Sequence, residues 1–155
     1  MKKIKTIKVV GAYNFLKRLK VKELSDEVCV NIWKDIKAFR ATAETYEKDT
    51  KDIDESLKGD EADKWNERIQ KAVDLENKVK AGEAEYTSDD IKEQKAVSAY
   101  LTELTNKKNK LVNELNDAEV EVDIKPIKEA DFIKAIKLND QSIGVMDELD
   151  FMIEE

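Results

Sequence analysis

The feature that most constrains the fold of this chain is a heptad pattern between residues 25 and 57. Apolar side chains recur there at alternating steps of three and four, the spacing of one helix packed along another. Ser25 predicts the helix start, because its hydroxyl can accept a backbone N–H. Gly59 predicts the end, in a left-handed cap. The pattern consists of Cys29, Ile32, Ile36, Phe39, Ala43, Tyr46, Thr50, Ile53 and Leu57.

Two further stretches, at about 61–80 and 91–118, also have helical spacing. The short connection around Gly59 predicts that the first of them returns antiparallel along the long helix. Gly82 should end it, and Ser88 with the acids after it should start the next. We therefore expect an antiparallel helical hairpin, or a three-helix coiled-coil-like stalk, over about residues 25–118. The apolar stripe of the last stretch is Val97, Leu101, Leu104, Leu111, Leu115 and Ala118, with Lys108 in one core slot.

The remaining residues, 1–24 and 119–155, are expected to form a small base. Residues 119–124 alternate strictly between charged and apolar, which predicts a half-buried strand. The only other candidate strand is about residues 3–7, which could also be the start of a helix. As a strand, this segment would pair with 119–124 in a two-stranded ribbon and set lysines across from carboxylates. Short helices are expected at Ile7–Leu19 with Thr6 as N-cap, at Glu129–Lys137 and at Ser142–Ile153. The fold class is thus mainly α, in a single elongated domain spanning 1–155.

Charge is distributed unevenly along the chain. The net charge is −7, yet residues 1–22 hold eight Lys or Arg and no acid, and no basic residue follows Lys137. This basic head and acidic tail could pair within one molecule or between neighbours. We favour the intramolecular pairing, because it costs less association entropy. No stretch approaches the roughly 20 apolar residues of a membrane-spanning helix. Residues 7–20 are amphipathic and could lie on a membrane surface, but the acidic rest of the chain disfavours this, so no membrane is expected as a partner.

Residue types disfavour an enzyme. Histidine is absent, which removes Ser-His-Asp catalysis and His-containing zinc sites. The single Cys29 lies in the heptad pattern and is interpreted as a buried, unreactive thiol. Acidic clusters lack the ligand spacing of a calcium loop, and no glycine-rich phosphate loop is present. Carboxylate pairs leave acid–base chemistry open in principle, but we expect no catalytic residue, cofactor or metal. Direct nucleic-acid binding is not expected either, because the body of the chain is acidic.

Two segments carry a resemblance to known proteins. One is Ala12-Tyr13-Asn14-Phe15-Leu16, continued by Leu24-Ser25-Asp26-Glu27-Val28. The other is Asp131-Phe132-Ile133 with Met146-Asp147-Glu148-Leu149-Asp150-Phe151-Met152-Ile153. They resemble the ends of short uncharacterised helical proteins encoded by phages and prophages. The resemblance implies a role in virion assembly or in binding a host component, in the cytoplasm of a bacterial host or in the virion. It implies no catalytic residues.

The sequence therefore predicts a non-enzymatic interaction or assembly protein, with itself or another phage or host protein as partner. The alternative is an acidic inhibitor that binds the basic groove of a nucleic-acid-binding protein. The C-terminal stretch is apolar on more than one face, which predicts that it docks into the body or onto a partner. The candidate partner-binding residues are Ile143, Met146, Leu149, Phe151, Met152, Lys17 and Arg18.

Overall fold

The computed structural model describes residues 1–154, residue 60 by its backbone alone, and divides into two compact units. The first unit holds Met1–Asp49 and the chain from Glu114 onward, and the second holds Thr50–Asn113. Residues 25–49 and 114–118, expected in the stalk, thus belong to the unit that contains the ribbon. The elements are β1 (Lys2–Lys5), α1 (Thr6–Leu16), α2 (Asp26–Ser56), α3 (Asp60–Lys80), α4 (Ser88–Asp117), β2 (Glu119–Val122), β3 (Ile127–Lys128), α5 (Glu129–Leu138), α6 (Val145–Glu148), a 3-10 turn (Asp150–Met152) and β4 (Ile153–Glu154).

The predicted ribbon is confirmed in the first unit. Strands β1 and β2 pair antiparallel, with Lys3 opposite Glu121 and Lys5 opposite Glu119. Opposite charges across an antiparallel pair stabilise it by ~0.2–1 kcal/mol. The expected N-cap role of Thr6 is wrong. Its hydroxyl and its backbone N–H both donate to the carbonyl of Ala118, at 2.8 and 2.7 Å, because the ribbon brings that carbonyl against the start of α1.

The core of the first unit is built from α1, the N-terminal part of α2, α5 and the C-terminal segment. Serine 25 caps α2 as predicted, accepting the N–H of Val28 at 3.3 Å. The aromatic rings of Phe15 and Phe132 stack with centroids 6.1 Å apart. The most completely buried core side chains are Val9, Ala12, Leu16, Phe39, Phe132 and Met152. Burying each of these side chains other than Ala12 contributes ~1.5–3 kcal/mol, which makes this cluster the main stabilising element of the unit.

The expected continuous helix over Ser142–Ile153 is wrong. Helix α6 covers only one turn, and Leu149 leaves the helical region at φ −110° and ψ 20°. Ile153 then pairs in parallel with Ile127 of β3. At this point the backbone forms hydrogen bonds to a neighbouring strand and not within a helix. The spacing of apolar residues along the chain cannot predict this, because it carries no information on which strand lies nearby.

The second unit contains a helical hairpin, but its return helix is α4 and not α3. The Asp54 carboxylate pairs with Lys108 at 2.6 Å, the rings of Trp65 and Tyr100 stack at 4.3 Å, and Gln94 donates to the carbonyl of Ala72. Residue numbers rise along α2 and α3 while they fall along α4. Helix α3 therefore continues past the end of α2, and the expected antiparallel return of α3 along α2 is wrong.

Glycine conformations explain where the chain reverses. Gly59, expected to be a left-handed cap, is extended at φ −141° and precedes α3 as its N-cap. Gly82 is left-handed at φ 74°. Its N–H bonds the carbonyl of Val79, and the N–H of Glu83 bonds that of Lys78. This is a Schellman motif, which ends α3 and turns the chain toward α4.

Candidate interaction surfaces

Two of the residues predicted to bind a partner lie inside the first unit. Met152 is fully buried and Leu149 nearly so. The ring of Phe151 is half-buried, 6.4 Å from that of Phe39 at an interplanar angle of 52°. The C-terminal segment thus docks into the body of its own unit, one of the two arrangements its pattern allowed. Leu149 and Met152 therefore present no surface to a partner.

The other predicted residues are accessible to different degrees. Ile143 is 66% exposed, and Met146 is half-buried. The Lys17 ammonium lies 4.9 Å from the centroid of the Tyr13 ring. Arg18 lines a groove of about 200 Å³ at the end of α1. The predicted set is therefore split between core and surface, and its role in binding stays a prediction.

Part of the basic head pairs with acids of the same molecule. Lys8 forms an ion pair with Asp150 of the C-terminal segment at 3.1 Å, and Lys5 pairs with Asp117 at 2.7 Å. The hydrogen bond to Asp117 raises the pKa of Lys5. Lys2 also donates to the carbonyl of Phe151. The favoured intramolecular pairing of head and tail is thus present, and it reduces the charge available for an outside ligand.

An apolar groove runs along the α3–α4 pair of the second unit. Its volume is about 400 Å³. Two of its apolar lining side chains are exposed: Leu101, expected in the core, is 40% exposed, and Val73 of α3 is 43% exposed. We call this feature the α3–α4 groove. The groove is lined by Ile69, Ala72, Val73, Glu76, Gln94, Val97, Ser98, Leu101, Thr102, Thr105 and Asn106.

A stacked cluster joins the two helices that form the groove. The guanidinium of Arg68 lies 3.8 Å from the Trp65 ring centroid, and the Tyr100 ring is parallel to Trp65 within 3°. Arg68 also makes a two-pronged ion pair with Glu93, at 2.6 and 2.8 Å. The hydrogen bond from Arg68 lowers the pKa of Glu93. This cluster fixes the spacing of α3 and α4 at one point, and so helps to shape the groove.

Three functional candidates were missed by sequence reasoning. One is the α3–α4 groove, whose signal was the low density of charges between residues 94 and 106 of α4. Another is Trp33, which lies outside the heptad positions, is 56% exposed and has the Lys37 ammonium 4.4 Å from its ring. The third is Asp35, a buried carboxylate in α2. Its signal was a polar residue in the apolar spacing of Ile32 and Phe39.

Asp35 is the one buried side chain in the described residues with an unpartnered polar atom. Its Oδ1 accepts the backbone N–H of Lys125 at 2.6 Å, and its Oδ2 has no hydrogen-bond partner. Burial raises the pKa of Asp35 to about 7, against the lowering effect of the Lys125 hydrogen bond. A carboxyl group with this pKa changes protonation near neutral pH. Asp35 is not among the residues that line the grooves found on the described chain at α4, at the α3–α4 pair, at the end of α1 and at the start of α5.

Among the described side chains, those of residues 1–59 and 61–154, no group of three or more Cys, Asp or Glu is placed to hold a metal ion. None of the helices described is long and apolar enough to cross a membrane. In comparisons with protein-family models, curated proteins and solved structures, no match to this chain was found.

Proposed function

We propose that this protein is a non-enzymatic interaction or assembly protein that binds a protein partner through the α3–α4 groove. The observation that carries the proposal is the exposure of Leu101 and Val73 in a groove of about 400 Å³. Helices of globular proteins bury their apolar stripe against another element. The phage or prophage setting suggested by the two terminal segments is part of this proposal.

The composition of the second unit supports the proposal. Among its described residues, only Ala72 and Val97 are buried. A two-helix hairpin with so small an interior leaves apolar area that a further helix could cover. The first unit, in contrast, contains a core of its own. We therefore place the proposed partner surface on the second unit.

A matched pair of variants tests the proposal. Leu101→Glu places a charge in the groove, while Leu111→Glu changes the same residue type on the same helix at 37% exposure, outside the groove lining. Tagged protein and both variants would be used for affinity capture from the native host, with quantitative mass spectrometry. We expect a partner captured by the wild type and by Leu111→Glu, and lost with Leu101→Glu.

Circular dichroism of both variants would separate lost binding from lost folding. Equal capture by both folded variants, or the absence of any partner that the wild type enriches over a tag-only control, would contradict the proposal. Light scattering over a concentration series would show whether the captured partner is a second copy of the chain.

A further inference from the structure

The lining of the α3–α4 groove differs from the rest of the surface in charge. Charged residues make up 41% of the chain, but Glu76 is the only charged residue among those that line the groove. Glu76 itself pairs with Lys80 at 2.6 Å. Depletion of charged residues distinguishes the core of a protein interface from an ordinary solvated surface. The groove therefore has the composition of an interface centre.

The shape of the groove favours a helix as its occupant. It lies along two packed antiparallel helices, and on α4 it extends from Gln94 to Asn106. That length is roughly 18 Å, or about three and a half helical turns. Two of its lining residues on α4, Ser98 and Thr102, have small side chains, which permit close approach of a helix. An amphipathic helix placed in such a groove buries residues at i, i+3, i+4 and i+7.

The charges beside the groove indicate which kind of helix fits. On the adjoining face of α4 lie Lys95, Lys107 and Lys110, with Glu103 as the only acid. Glu103 is already paired with Lys107 at 2.9 Å. Lys95 and Lys110 have no ion pair among the described residues. One edge of the groove therefore has an excess of positive charge, in a chain whose net charge is negative.

This edge, which we call the lysine edge, disfavours an antiparallel pairing of the groove with a second copy of the chain. When two copies of a groove pair antiparallel about a two-fold axis, like edges face each other. Lys95 and Lys110 of each copy would then approach lysines of the other. Like charges at close range disfavour such a pairing, whereas carboxylates at the same positions would favour it.

We infer that the α3–α4 groove binds an amphipathic partner helix that carries carboxylates along the edge facing Lys95 and Lys110. This inference rests on the proposed function and specifies the chemistry of its partner. Leu101 and Val73 contact the apolar stripe of the partner helix. The lysine edge sets its orientation and selects acidic helices over basic ones.

The test uses two labelled, helix-stabilised peptides of about 18 residues, long enough to span the groove. Both carry the same leucine stripe, and one edge carries Glu in the first peptide and Lys in the second. Fluorescence anisotropy with the full-length protein should show binding of the Glu peptide that is weakened by salt. Net charge alone predicts the reverse order, since a chain with charge −7 attracts the Lys peptide.

Variants assign the binding to the groove. Leu101→Glu should weaken the Glu peptide by about tenfold or more, as expected for an interface centre, and Leu111→Glu should not. The double change Lys95→Glu with Lys110→Glu should weaken it severalfold and improve the Lys peptide. Lys71→Glu with Lys78→Glu, at exposed positions of α3 outside the lining, changes the net charge equally and should have little effect.

Failure of the inference is distinguishable from failure of the proposed function. Preference for the Lys peptide, equal loss with both pairs of lysine variants, no binding of either peptide, or dimerisation that Leu101→Glu abolishes would each overturn the acidic helix as occupant. The proposed function would survive any of these results if a captured partner is lost with Leu101→Glu. The proposed function fails if Leu101→Glu captures every partner as well as the wild type does, or if the wild type captures no partner.

Discussion

The Asp35 carboxylate accepts a 2.6 Å hydrogen bond from the backbone N–H of Lys125, and it does so from a fully buried position in α2. The bond ties α2 to the connection between β2 and β3, where Lys125 also pairs its ammonium with Asp123 at 2.8 Å. Only one of the two carboxylate oxygens of Asp35 is satisfied. Burial of the charged form is therefore unfavourable, and the pKa of Asp35 rises to about 7 because of it.

The first prediction concerns the pH dependence of stability. The folded pKa of Asp35, about 7, lies above its ordinary value of 3.8. The folded protein therefore binds more protons than the unfolded chain between these values, and the stabilising contribution of protonated Asp35 is lost as pH rises from about 4 to about 7. Three units of pKa correspond to roughly 4 kcal/mol. The charged groups facing Asp35 are Lys125, which opposes the shift, and Asp123, which adds to it.

The measurement is urea unfolding of the wild type and Asp35→Asn at pH 4.5, 6 and 8. The free energy of unfolding of Asp35→Asn, relative to the wild type, should rise by a few kcal/mol over this range, because asparagine does not ionise. The exposed Asp147→Asn is the control and should show no such trend. A constant difference between wild type and Asp35→Asn at all three pH values would contradict the prediction.

The second prediction concerns the C-terminal segment. Met152→Ala should lower the free energy of unfolding by about 2–5 kcal/mol, since it leaves a cavity in a closed core. Ile143→Ala, at a position 66% exposed, should change it by roughly 0.5 kcal/mol or less. Denaturant unfolding of both variants provides the comparison. If Met152→Ala and Ile143→Ala lower the free energy of unfolding by similar amounts, the C-terminal segment does not dock into the first unit.

The third prediction concerns the stacked cluster of the second unit. Arg68→Lys keeps the charge but loses the flat stack on Trp65 and the two-pronged bond to Glu93, so it should lower the midpoint of thermal unfolding. The control is Lys92→Arg, at a position where the side chain pairs with Asp89 within the first turn of α4 at 3.4 Å. Thermal unfolding together with near-ultraviolet circular dichroism would detect the change around Trp65. If the near-ultraviolet signal of Arg68→Lys equals that of the wild type, the stacking of Arg68 on Trp65 is contradicted.

The fourth prediction uses two glycines with different backbone conformations. Gly82→Ala should destabilise by about 1 kcal/mol, because alanine is strained at φ 74°. Gly59→Ala should be close to neutral, since its φ of −141° is open to any residue and no atom lies within 4 Å of an added Cβ. Both changes can be measured by thermal unfolding. The opposite order would place the left-handed turn at Gly59, as its position in the sequence suggested.

Local sequence determined most of the secondary structure. Ser25 caps α2 through its own hydroxyl, and Gly82 ends α3 through its own backbone freedom. The strict alternation of residues 119–124 predicts β2. Its partner β1 is the one other candidate strand in the sequence, and its lysines lie opposite the carboxylates of β2. Each of these features depends on a few neighbouring residues, or on a pairing with only one available partner. They can therefore be predicted from the sequence.

Tertiary structure decided what heptad spacing leaves open. The heptad spacing predicts that α3 and α4 each pack along another helix. The same apolar stripes are compatible with α3 returning along α2 or continuing past its end. In the structure Gly59 is extended and α3 continues past α2. Leu149 and Leu101 are both apolar positions in a helical pattern, yet only Leu149 meets a closed core. The hydrogen bond of the buried Asp35 likewise comes from Lys125, ninety residues away. The periodicity of a sequence determines which face of a helix is apolar, whereas the residues that cover that face are brought to it by the rest of the chain.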